Sequence, residues 1–101
     1  MAGGMPNGRY SLGGLGVIVK DGEARVESGS LAGSTLTMDV AFKNAIEVLD
    51  LSINEAVKLC STNAAKEFNL LSKGQIKEGY DADILILNED YSINSIFIAG
   101  K

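Results

Sequence analysis

Leu15-Gly16-Val17-Ile18-Val19-Lys20-Asp21-Gly22-Glu23-Ala24-Arg25-Val26-Glu27 reads as two strands folded back on each other. Asp-Gly between β-rich segments is a hairpin signal, because both residues tolerate the positive φ that a tight two-residue turn needs. On the return strand Ala24 and Val26 alternate with Glu23, Arg25 and Glu27, so one face is expected to be buried and the other wet. A two-stranded hairpin is marginal alone, so this one needs something to pack against. Upstream, Met5-Pro6-Asn7-Gly8 reads as a turn, since proline presets φ and Asn-Gly accepts positive φ.

Downstream the composition shifts: residues 36–71 contain neither glycine nor proline. Met38, Phe42, Ala45, Ile46 and Leu49 recur at helical spacing, with Ser34, Thr35 or Thr37 available as a cap. Ser52-Ile53-Asn54-Glu55 has the form of a capping box and opens a second helix with the stripe Ile53, Ala56, Val57 and Cys60. A third short helix is expected after Thr62, with Ala64, Ala65 and Phe68 inward, ending within residues 69–72. Helices this short gain most of their stability from packing. Asp39 and Lys43, four apart, suggest a solvated ion pair of roughly a few tenths of a kcal/mol.

Glycine punctuation returns at Gly74 and Gly79, followed by Asp81 and the run Ile84-Leu85-Ile86-Leu87. Four consecutive apolar residues suggest a strand covered on both faces. Asn88-Glu89-Asp90 reads as a turn, residues 93–98 as a last strand, and Ala99-Gly100-Lys101 as the start of another turn. The expected fold class is α/β or α+β, with a hairpin, two to three helices and late strands.

With 101 residues, 46% of them hydrophobic and 22% charged, the chain suits one small globular domain rather than a disordered segment. A net charge of −4 gives no broad attraction for nucleic acid or anionic lipid, so neither nucleic acid nor membrane is expected as a partner. No apolar run is long enough for a membrane span, and no basic-then-apolar leader is visible. One unpaired Cys60 fits a reducing cytoplasm, and a cytoplasmic location is expected. The absence of histidine excludes a closed Cys/His zinc site and a Ser-His-Asp or Cys-His nucleophile within one chain. Cys60 therefore reads as a small buried hydrophobe. Asp81 and Asp83 would share a strand face, but no further ligand converges nearby, so they read as turn and strand-entry residues.

Two segments carry more than composition does. One is Met5-Pro6-Asn7-Gly8-Arg9-Tyr10-Ser11-Leu12-Gly13-Gly14, with Gly29-Ser30-Leu31-Ala32-Gly33-Ser34-Thr35-Leu36-Thr37-Met38 after the hairpin. The other runs from Ser61-Thr62-Asn63-Ala64-Ala65-Lys66 through Lys73-Gly74-Gln75-Ile76-Lys77-Glu78-Gly79-Tyr80-Asp81-Ala82-Asp83-Ile84. Both closely resemble the C-terminal part of the N-acetylglucosamine-6-phosphate deacetylases of the amidohydrolase superfamily. The pattern Gly-x-Ile-x-x-Gly-x-Asp-Ala-Asp-Ile, residues 74–84 here, occurs across that superfamily. The two earlier stretches are more specific to the deacetylases. The resemblance covers essentially the whole chain but only about the last quarter of a family member.

It implies a fragment of a metal-dependent (β/α) barrel, with residues 1–71 forming the end of the barrel domain and its hairpin insertion. Residues 72–101 would be C-terminal strands of a small β-sandwich domain. The family's Glu and His metal ligands lie upstream, and its catalytic Asp sits in a Thr-Asp-Ala motif just ahead of the stretch matching Met1. A truncated chain, started at an internal methionine, is therefore expected, with no catalytic residue and no metal ligand of its own; the divalent metal belongs to the parent enzyme.

Leu31-Ala32-Gly33-Ser34 precedes the first helix; its small residues let backbone amides approach a ligand, and a helix N-terminus favours anions. On pattern alone an ordinary Gly-Ser loop feeding a helix cap is the favoured reading, because short Gly-rich motifs match often by accident. The resemblance assigns Leu31, Ala32 and Gly33 contact with the amino-sugar phosphate, with Ser34 beside them as a cap. Arg9 and Tyr10 are expected in a glycine-rich surface loop. For the parent, the resemblance implies hydrolysis of the acetamide of N-acetylglucosamine 6-phosphate to glucosamine 6-phosphate and acetate. There the metal polarises the carbonyl and activates water while the Asp shuttles the proton. The isolated chain is expected to be inactive. Two alternatives remain. One is a non-catalytic interaction or assembly module, in which the apolar surfaces around Phe42, Ile46 and residues 84–87 drive a homo-oligomer. The other is a fragment of a different amidohydrolase, such as a dihydroorotase-like enzyme, sharing residues 74–84 but not 31–38.

Overall fold

The computed structural model of the chain describes residues 2–101. It is a mixed α/β arrangement in which contacts divide the chain into two compact units, one ending at Thr37 and the other spanning Met38–Lys101.

The first unit is an antiparallel meander of β1 (Gly8–Leu12), β2 (Leu15–Lys20), β3 (Glu23–Val26) and β4 (Leu31–Gly33), in that spatial order. The Asp21-Gly22 turn forms as its sequence demands, with φ of 51° and 83° between the paired Lys20 and Glu23. Gly13-Gly14 repeats the device at 56° and 85° between Leu12 and Leu15. Both are two-residue turns of the type that matches strand twist. The hairpin finds its partners in β1 and β4, formed by residues expected in loops. The turn expected at residues 5–8 lies earlier: Met5 N–H donates to Ala2 O at 3.2 Å across Gly3-Gly4, and Asn7 forms only a bend.

Alternation sorts the faces as expected. Val17, Val19 and Ala24 are buried with Ala2, and Tyr10, Val26 and Ala32 pack around them. The opposite face carries Arg9 paired with Glu27 at 3.4 Å and Arg25 paired with Glu23 at 2.7 Å. These pairs are exposed and add little stability.

The second unit opens with α1 (Met38–Glu47). Of the three candidate caps only Thr37 adjoins this helix. Ser34 Oγ instead accepts from Leu36 N–H at 3.0 Å, and Thr35 Oγ1 donates to Gly22 O at 2.5 Å. Lys43 carries an ion pair with Glu47 at 3.8 Å. The chain leaves α1 through Asp50, which takes φ of 55°.

The capping box then forms in full: Ser52 Oγ accepts from Glu55 N–H at 3.3 Å, and the Glu55 carboxylate accepts from Ser52 N–H at 2.9 Å. Caps of this kind contribute about 1 kcal/mol. In place of two separate helices, α2 (Ile53–Val57), a π turn (Lys58–Thr62) and α3 (Asn63–Glu67) run on without a break, the joining residues all helical in backbone angle.

The π turn explains why the apolar stripe looked like two helices. It takes up one extra residue and so rotates the face of everything after it by about 100°. Ala56 and Ala65, nine residues apart, would lie on opposite sides of an unbroken α-helix, yet both are buried. The same rotation corrects the expected inward set after Thr62. Ala65 is buried, whereas Ala64 is exposed and Phe68 is 76% exposed. The helix ends where expected. Asn69 takes φ of 54°, Leu70 N–H donates to Ala65 O at 2.8 Å, and Asn69 N–H donates to Lys66 O at 3.1 Å, a Schellman closure.

The hairpin of β5 (Ile84–Leu87) and β6 (Ile93–Phe97) completes the unit. The strand expected to be covered on both faces is not: Leu85 is 57% and Ile86 47% exposed. The connecting turn extends past Asp90 to Tyr91, which takes φ of 66°, a conformation usually left to glycine. Its ring meets Phe42 edge-on at 6.0 Å. Ala99-Gly100 forms the last expected turn, with Ile98 and Lys101 exchanging hydrogen bonds at 3.0 and 3.1 Å.

Candidate functional site

Leu31, Ala32 and Gly33, expected in a loop, form β4 at the edge of the meander. Gly33 pairs with Ala24 and Leu31 with Arg25, leaving an irregularity between them. Such a bulge re-aims side chains and ends pairing. Ala32 turns toward the sheet core, Leu31 is 68% exposed, and nothing lies within 4 Å of the place a Cβ on Gly33 would take. An edge strand with Ala32 and Gly33 in it offers backbone N–H and C=O groups on its open side at close range. This is chemistry suited to gripping a polar ligand through the main chain. Ser34 is turned back on its own chain. Arg9 and Tyr10 sit on β1 rather than in a loop. Arg9 is engaged by Glu27, and the Tyr10 hydroxyl donates to Pro6 O at 2.8 Å.

The pattern at residues 74–84 is a joint. Gly74 has φ of +81°, and a Cβ there would stand 2.8 Å from Ala65 Cβ and 3.2 Å from Thr62 Cα. Thr62 Oγ1, at the end of the π turn, donates to Gly74 O at 2.8 Å. Asp81 accepts from Ser72 Oγ at 2.9 Å and from Lys73 at 3.1 Å. Asp83 accepts from Lys73 Nζ and, at 3.0 Å, from Ala99 N–H. Every group in this cluster is turned inward on its neighbours, which agrees with a structural role for the two aspartates. Sequence reasoning missed Lys73, the cation that lets them sit together.

Among the described residues no group of three or more His, Cys, Asp and Glu side chains gathers to hold a metal. Asp81 and Asp83 share the Lys73 ammonium, and no third acidic, His or Cys side chain joins them among the described residues, so they do not fit a divalent cation. Cys60 is half-buried beside an open, largely apolar cleft of about 480 Å³ lined also by Met38, Phe42, Val57, Leu87 and Tyr91. Nor is any helix among these residues long and apolar enough to cross a membrane.

The lysine sets a pH dependence. Its hydrogen bond holds Asp81 and Asp83 below the usual carboxylate range, helped by Ser72 at Asp81 and by Ala99 N–H at Asp83. Asp83 first, then Asp81, raises Lys73 above the usual lysine value. Depressed carboxylates stabilise the fold above their unfolded pKa of about 3.9, and that stability is lost as pH falls through their folded values. The raised lysine stabilises below about 10.4 and is lost as pH rises through its folded value. Thermal unfolding against pH is expected to show a plateau between those limits, with an acid limb that is shallower in Lys73→Met. An identical acid limb in the variant would refute the assignment.

Residues 15–101 match the family model described as Amidohydrolase family. An N-acetylglucosamine-6-phosphate deacetylase of Lysinibacillus sphaericus is 45% identical over 97% of this chain, which spans 25% of that protein. The crystal structure of N-acetylglucosamine-6-phosphate deacetylase from Thermotoga maritima superposes with a TM-score of 0.87 at 41% identity, covering 99% of this chain and 28% of that one. A point mutant of the Mycobacterium smegmatis deacetylase, solved in complex with N-acetyl-D-glucosamine-6-phosphate, gives 0.84 at 33% identity over 99% of this chain and 27% of its own. The chain thus spans about a quarter of the length of the proteins it matches. It belongs to the amidohydrolase family.

Proposed function

We propose that these residues are the C-terminal portion of a metal-dependent deacetylase that hydrolyses N-acetylglucosamine 6-phosphate to glucosamine 6-phosphate and acetate. What carries the reading is the agreement, across nearly the whole chain, with deacetylases of that name at 45% and 41% identity. In the whole enzyme, residues 1–71 belong to the end of a (β/α) barrel and residues 72–101 to a small β domain, in the cytoplasm. A divalent metal held by other parts of the parent supplies carbonyl polarisation and an activated water. This chain contributes a wall of the sugar-phosphate pocket: the open edge of Leu31, Ala32 and Gly33 receives the substrate through backbone groups.

The isolated chain is therefore inactive. Purified with added zinc or iron, it is expected to release no acetate from N-acetylglucosamine 6-phosphate under conditions in which a full-length relative turns over. Measurable turnover would overturn the reading. In a full-length enzyme carrying this segment, Gly33→Val is expected to raise KM about tenfold, the equivalent of losing roughly 1.4 kcal/mol of binding, with kcat little changed. An unchanged KM removes Gly33 from the pocket.

An assembly module is the second reading. It is favoured by apolar residues left outside, among them Val48 at 73%, Leu71 at 85% and Ile76 at 88% exposed. Light scattering on the assayed sample separates the two: a defined homo-oligomer supports assembly, and a stable monomer counts against it.

A further inference from the structure

Seven asparagines occur in the chain, and Asn7 alone is followed by glycine. We propose that Asn7 is a self-modifying site, where the side-chain amide is lost to give an aspartyl or isoaspartyl residue at a rate set by fraying of the β1 edge. Hydroxide removes the Gly8 amide proton, and the nitrogen's electron pair bonds to Asn7 Cγ. The Cγ–Nδ2 bond breaks, and the departing nitrogen takes a proton from water and leaves as ammonia. Water then opens the cyclic imide at either carbonyl, giving aspartate or isoaspartate. One water is consumed and one ammonia released, with no oxidant or metal required.

The structure favours this position over the other six. Asn7 is exposed, in a bend just outside the sheet, and Gly8 is the first residue of β1, which pairs on one side only. Without a Cβ, Gly8 lets the backbone swing its nitrogen toward Cγ. Two contacts hold the ground state: Asn7 Oδ1 accepts from Asp21 N–H at 3.1 Å, and Gly8 lies opposite Val19 at the end of the ladder. Both must release before the nitrogen can attack, and strand ends release most readily. Conversion to aspartate places a carboxylate where the amide oxygen now accepts from Asp21 N–H. Conversion to isoaspartate inserts a backbone carbon ahead of Gly8 and displaces the start of β1 from Val19.

The full chain, incubated at neutral and at mildly alkaline pH and mapped by peptide mass spectrometry with enzymatic isoaspartate detection, tests this. Asn7 is expected to convert roughly fivefold faster than any other asparagine, and faster at the higher pH. Gly8→Ala is a clean control, because its Cβ would meet only the Tyr10 side chain at an ordinary 3.4 Å. It is expected to slow conversion roughly fivefold. Unfolding in urea is expected to accelerate the reaction at Asn7 by releasing both contacts. Another asparagine converting first, or an unaffected Gly8→Ala, overturns the site. A rate indifferent to urea overturns the gating.

Discussion

Gly74→Ala is expected to destabilise the unit spanning Met38–Lys101 by about 3 kcal/mol or more, the sum of two independent penalties. The first is conformational, because φ of +81° is a backbone state that L side chains rarely adopt. The second is steric. The new Cβ would lie 2.8 Å from Ala65 Cβ and 3.2 Å from Thr62 Cα, and neither atom is the yielding end of a flexible side chain. Ala65 is buried, so relief requires the 72–83 segment to lift from the helix, stretching the Thr62 Oγ1 bond to Gly74 O. Urea unfolding followed by far-UV circular dichroism reads the loss as a lower midpoint. A midpoint within about 0.5 kcal/mol of wild type would mean that the joint is not where this unit is held.

Val17→Asp is expected to unfold the meander outright. Val17 is 1% exposed, and the buried set around it is only Ala2, Val19 and Ala24. An unpaired buried charge costs about 3–5 kcal/mol, more than so small a core can absorb. Among the described residues no cation faces inward to compensate: Arg9 and Arg25 lie on the opposite face in pairs of their own. Hydrogen exchange of the β2 and β3 amides should lose its protection. Acid should partly restore it, because protonating the new carboxyl removes the charge. Retained protection at neutral pH would refute the buried assignment of this face.

The parts legible in the sequence were those whose cause is local. Asp21-Gly22 needs only its own backbone preferences, and Ser52 with Glu55 only three residues of separation. Gly13-Gly14 belongs to the same class of turn signal, yet β1 was missed. Gly8 and Pro6 crowd its start, and its one inward aromatic, Tyr10, gives too short an alternation to stand out. The π turn has no residue signature at all. It is visible only as a slip in the phase of burial between Ala56 and Ala65. The expected cover over Leu85 and Ile86 failed because a run of apolar residues records how much surface must be hidden, not which element hides it. At the candidate site, the small residues Ala32 and Gly33 beside Leu31 pointed to close backbone approach. That they form an edge strand depends on the irregular pairing with β3, which their sequence does not encode. Lys73 was readable in principle: a lysine ahead of two aspartates spaced two apart supplies the charge that pair requires.

The π turn also has a bearing on how this segment can vary. Between Lys58 and Thr62 the helix already absorbs one surplus residue ahead of the Thr62 hydroxyl that reaches Gly74. Substitutions at the solvent-facing Lys58 and Leu59 leave that contact intact. Deleting either one would remove the residue the π turn absorbs: the helix would close to uniform α winding with Ala65 still on the inward face, about 80° from Ala56. The two directions of length change are thus unequal here: a further inserted residue would turn Ala65 and Thr62 about 100° away from Gly74, whereas a lost one would be absorbed by the turn.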